Sequence, residues 1–149
     1  MKLRLLLTAL TAFAVSVPVA VHAQDSDQEH HTEIGKHMEK IAKAVKKLRS
    51  QIGDASQNDS SLQLVATIHD EASAAVDLKP EKEKDLPEDQ QAQFQEQYQA
   101  GLKEFLKAVD KLSDLLKAGD NAGASAQLKQ LLNLERQDHK KFKKPHKED

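Results

Sequence analysis

Two residues in this sequence are candidates for chemistry, Met38 and His139. A thioether and an imidazole are neutral ligands for a transition metal. Facing each other across a gap, they can hold the iron of a flat haem from both sides. Apart from Met1, Met38 is the only methionine in the chain. Each residue also has an ordinary reading. Methionine fills gaps in apolar cores, and histidine near a helix C-terminus complements the helix dipole. Spacing alone leaves both readings open.

The positions of the two residues depend on the elements that carry them. Ile34, Met38, Ile41, Val45, Leu48 and Ile52 recur at steps of four and three, the apolar stripe of a helix, with Thr32 as cap and Gly53-Asp54 as stop. The polar stretch from Ala55 to Ser60 separates it from a second, weaker stripe: Ser61, Val65, Ile68, Ala72 and Val76. Leu78 to Asp89 reads as a charged loop, with Pro87 placed to open the next helix. Tyr98, Leu102, Phe105, Val109, Leu112 and Leu116 repeat the four-three pattern, and Gly119 closes the third helix. Asp120 or Asn121 then caps a fourth, whose inner stripe is Ala124, Leu128, Leu131 or Leu132, Glu135, His139 and Phe142. Amphipathic helices cannot bury such stripes singly. The expected fold is all-α, an antiparallel up-down-up-down four-helix bundle. In that topology the start of helix one and the end of helix four share one end of the molecule. At about 1.5 Å of rise per residue, Met38 and His139 then lie at similar depth.

Composition narrows the function further. The 149 residues include no Cys, which excludes disulfides, thiolate metal sites, Fe–S clusters and thioether-attached haem. Only five Gly and four Pro are present, which disfavours sandwiches, barrels and Gly-rich nucleotide folds. The formal net charge of −2 gives no sign of nucleic-acid binding. There is no nucleophile motif, paired-carboxylate constellation or phosphate loop, so the sequence does not read as an enzyme.

Residues 1–23 have the three parts of a secretory signal: Lys2 and Arg4, an apolar run from Leu5, and Val21-His22-Ala23 at the cleavage site. Cleavage after Ala23 removes two of the 22 basic residues and none of the 24 acidic ones, leaving a net charge of −4. The expected product is exported to the periplasm and is not membrane-bound once processed. It has a flexible N-terminus over 24–31, a bundle over 32–144 and a tail over 145–149. His30, His31, His37 and His146 crowd the end of the bundle that carries Met38 and His139. They read as a histidine-containing tail, with divalent-metal binding as the alternative.

Two segments resemble a known family. His37-Met38-Glu39-Lys40-Ile41, followed by Val45 and Leu48, is similar to the first helix of the cytochrome b562 family. Leu134-Glu135-Arg136-Gln137-Asp138-His139-Lys140-Lys141-Phe142 is similar to that family's last helix. The resemblance places Met38 and His139 on the two axial haem ligands, and Gly101 and Gly119 on glycines of helix three and of the turn after it. Two haem-facing phenylalanines of the family correspond to Tyr98 and Leu102 here, so one ring is kept with a hydroxyl and one is lost; Phe94 or Phe105 could compensate. The resemblance implies one non-covalent haem b per chain, with Tyr98, Leu102 and Phe105 in its pocket, and single-electron transfer by a monomer. The redox partner is unknown: the basic residues in helix one and at the C-terminus read as a solvated face, with steering of an acidic partner as the sharper alternative. The competing reading is a haem-free helical bundle serving as a binding or stress-related protein, with Met38 and His139 as packing residues.

Overall fold

A computed structural model describes residues 32–144. The expected signal sequence, the remaining residues up to His31 and the tail from Pro145, with His30 and His146 among them, lie outside the described residues. Within 32–144 four helices follow one another: α1 (Glu33–Gln51), α2 (Asn58–Ala75), α3 (Glu88–Lys117) and α4 (Asn121–Phe142). Short 3₁₀ turns at Ala55–Gln57 and Glu81–Asp85 join the first two pairs. No strand occurs among the described residues, and none of their helices is long and apolar enough to cross a membrane.

The helix ends follow local chemistry. Thr32 Oγ1 accepts from the Gly35 amide at 2.9 Å and caps α1. Asp120 accepts from the Gly123 amide at 2.8 Å and caps α4, so the cap is Asp120 rather than Asn121. Gly119, with φ of 73°, makes the left-handed turn between α3 and α4. Asn121 instead holds the turn end of the bundle together. It exchanges amide hydrogen bonds with Asn58 at 2.7 and 3.3 Å and donates to the Ile52 carbonyl at 2.8 Å. Helix α2 begins at Asn58, three residues before the start of its apolar stripe, because Asp54 caps the intervening 3₁₀ turn through the Ser56 amide. It ends at Ala75, which is fully buried, whereas Val76 is only half-buried.

The stripes meet in one core along most of the bundle. Leu48, Ile68, Leu112 and Leu131 are buried to 1% exposure or less. Each such side chain contributes about 1.5–3 kcal/mol through burial. A second, smaller cluster of Ala75, Tyr98, Leu102 and Phe142 occupies the opposite end from the Asn58–Asn121 pair, and Met38 packs against both clusters. The sequence-adjacent pairs α1–α2, α2–α3 and α3–α4 pack closely. By contrast α1 and α4, which close the square, make few close backbone approaches. The gap between them leads into the site.

Candidate functional site

At the Met38 end the helices enclose a cavity of about 520 Å³, within the roughly 300–1,000 Å³ range of small-molecule and cofactor sites. Met38 enters from α1 and His139 from α4, and Tyr98, Leu102 and Phe105 line it from α3. Ile34, Ile41 and Phe142 add apolar wall, and Glu135 and Asp138 stand on the α4 side. All five expected site residues therefore border one cavity. Their exposures differ: Tyr98, Leu102 and Phe105 are buried, Met38 is half-buried and His139 is exposed. His139 occupies the rim, in the last turn of α4, and its carbonyl accepts from the Lys143 amide at 2.9 Å.

Tyr98 turns its hydroxyl away from the cavity. The hydroxyl donates to the Ala75 carbonyl at 3.0 Å, at the end of α2. Burial pushes the phenol up to about 12, with the nearby Asp138 carboxylate adding to the rise. Tyr98 and Phe94 both pack edge-on to Phe142, with centroids 5.6 and 5.4 Å apart. Phe94 therefore packs against the wall residue Phe142 without lining the cavity, while Phe105 borders the cavity itself. Asp138 lies against α3 where Gly101 leaves room: a Cβ at position 101 would sit 3.0 Å from its Oδ1. Burial, followed by repulsion from Glu104, raises the Asp138 carboxyl above the usual range.

The connection from α2 to α3 forms a further wall, through Leu78 to Lys82. A ladder of glutamines on α3 fastens it. Gln91 donates to the Leu86 carbonyl at 3.0 Å, Gln95 to the Leu78 carbonyl at 3.1 Å and Gln99 to Asp77 Oδ1 at 3.3 Å. Lys82 donates to the Lys141 carbonyl at 2.7 Å and ties the same strap to α4. Glu83 within it is buried and paired with Lys79 at 3.2 Å.

The other two described histidines are occupied elsewhere. His37 Nδ1 lies 2.5 Å from Glu71 Oε2, and Lys40 donates to Oε1 of the same carboxylate at 2.9 Å, joining α1 to α2. Half-buried His69 lies 3.5 Å from Asp110. Among the described residues no group of three or more His, Cys, Asp or Glu is arranged to hold a metal ion.

The wall residues Leu78, Pro80, Gly35 and Ala42 are absent from the sequence-based site. For Gly35 and Ala42 a signal exists: two small residues seven apart on α1, near Met38, where bulkier side chains would fill the space toward α4. The strap residues carry no periodicity, and their place at the site comes from the glutamine ladder.

The donor set suits a haem: one thioether and one imidazole on different helices, apolar and aromatic walls, and one open rim. No curated protein and no solved structure matches the chain. A family model described as Cytochrome b562 matches residues 33–143, which spans all four helices. That family comprises four-helix-bundle, b-type haem electron carriers, and this chain belongs to it.

Proposed function

We propose that the protein is a periplasmic b-type cytochrome in which Met38 and His139 are the axial ligands of one haem per chain. Residues 1–23 would serve as its cleavable export signal. The observation that carries this reading is the position of Met38 and His139 on one cavity, reached from two helices, α1 and α4, that make few close backbone approaches to each other. When bound, haem supplies a one-electron ferric/ferrous couple. With Met38 and His139 both holding the iron, no ligand position would remain for oxygen or substrate, which would favour electron transfer over catalysis. The neutral sulfur of Met38 and the dry walls of Leu102, Phe105 and Tyr98 favour the reduced state and raise the potential. The hydrogen bond of Tyr98 to Ala75 holds its ring in the wall with the hydroxyl directed at the backbone.

Hemin titration of the protein, followed by reduction with dithionite, tests the reading. Sharp low-spin α and β bands are expected with a 1:1 end point, and they are expected to be lost in Met38→Ala and in His139→Ala. Unchanged bands in both variants would remove the axial assignment. A chain that takes up no hemin would instead be the haem-free binding protein.

A further inference from the structure

Charge is divided unequally between the two halves of the bundle. Helix α1 carries six basic and two acidic residues, and residues 121–144 likewise carry six basic and two acidic. Residues 52–120, which contain α2 and α3, carry seven basic and fifteen acidic. Helix α1 and residues 121–144 together thus have a net charge of +8 and the other half −8, in a chain whose formal total is −2.

The side chains of α1 and α4 can be placed by their partners. Lys40 bonds Glu71 and marks the α2 flank of α1, so Lys46 and Arg49 fall on the opposite flank, toward α4. Gln127 donates to the Ala108 carbonyl and marks the α3 flank of α4, so Lys129, Arg136 and Lys140 fall toward α1. All five basic residues are exposed. Among the described residues no carboxylate neutralises them within ion-pair distance. They border the wide gap between α1 and α4, and the exposed His139 lies at one end of that gap.

We infer that this basic groove between α1 and α4 is the docking surface for an acidic electron-transfer protein, oriented so that the partner covers the exposed rim at His139. The inference rests on the haem reading for its purpose, but its charge argument does not depend on haem. A field of one sign along one face steers a partner of opposite sign and fixes its orientation, an effect that salt screens. The acidic half is on the far side and repels the same partner, so misoriented encounters are disfavoured.

Poly-L-glutamate serves as a probe that does not require haem. Its binding is read by amide chemical-shift mapping on the protein with and without hemin. Shifts clustered on residues 46–49 and 129–140, abolished by about 0.3 M salt, are expected. The triple variant Lys46→Glu, Lys129→Glu, Arg136→Glu should weaken binding at least ten-fold. The same number of reversals on α3, Lys103→Glu, Lys107→Glu and Lys111→Glu, should leave it within two-fold. Equal losses in both variants, or shifts spread over α2 and α3, would overturn the inference. So would binding to phosphatidylglycerol vesicles without binding to poly-glutamate, which would assign the groove to a lipid surface. In the haem-loaded protein, the rate of electron exchange with a flavodoxin should fall with salt and with the first triple variant only. If hemin fails to bind while poly-glutamate still maps to the groove, the haem reading fails and the docking surface stands.

Discussion

The Tyr98 hydroxyl and the Ala75 carbonyl form a buried hydrogen bond between α3 and α2 at the cavity wall. Tyr98→Phe keeps the ring and removes the bond, which should cost about 1 kcal/mol at neutral pH in urea unfolding. The phenol is raised from 10.0 to about 12 in the fold. A raised value means that its contribution is complete below pH 10 and is lost as the pH climbs toward 12. Wild type should therefore lose stability more steeply than Tyr98→Phe between those values. Glu71 behaves in the opposite sense. Hydrogen bonds from Lys40, then His37, hold its carboxyl below the ordinary value of 4.5. Its contribution is present above that value and is lost as the pH falls below it. Glu71→Gln should flatten the acid limb of the stability profile, a change that thermal melts from pH 5 downward would read. At this scale the helical stripes brought Met38 and His139 to one end of the bundle, and the family resemblance named the α3 wall. It did not show that His139 would be exposed at the rim. His139 lines the cavity whereas Phe142, nearer the helix end on the same stripe, is buried, and periodicity does not distinguish the two.

Helices and their caps were legible because capping residues and apolar periods are local features. The boundaries at Asn58 and Ala75 were less so, since a capped 3₁₀ turn extends α2 backward and the loss of the last stripe residue shortens it. The strap over 77–86 was read only as a charged loop. Its fastening depends on Gln91, Gln95 and Gln99, which meet it from a helix distant in sequence. Because polar bonds hold one wall of the cavity, that wall is the part most easily released by substitution. Gln95→Ala should speed transfer of haem to an apo-globin acceptor about five-fold, as expected for one lost hydrogen bond of about 1 kcal/mol. The optical spectrum of the loaded protein should stay unchanged. No change in the transfer rate would show that haem leaves by another route, such as the gap between α1 and α4.

Across the whole molecule, stability and function occupy different ends. The Asn58–Asn121 pair and the fully buried Leu112 belong to the part of the bundle away from the cavity. Leu112→Ala should cost about 2–5 kcal/mol of unfolding free energy while leaving haem stoichiometry unchanged in protein that remains folded. The cavity end has a smaller core and leaves α1 and α4 apart, so haem itself should stabilise that end by binding only the folded state. The proposed function depends most on a bond between the Met38 sulfur and iron. Because Met38 is the only methionine beyond Met1, proton NMR of the reduced, haem-loaded protein lacking its first 23 residues tests it directly. A single methionine methyl resonance, displaced far upfield by the porphyrin ring current and absent in Met38→Leu, is expected. A methyl signal at its ordinary position in fully loaded, reduced protein would contradict it.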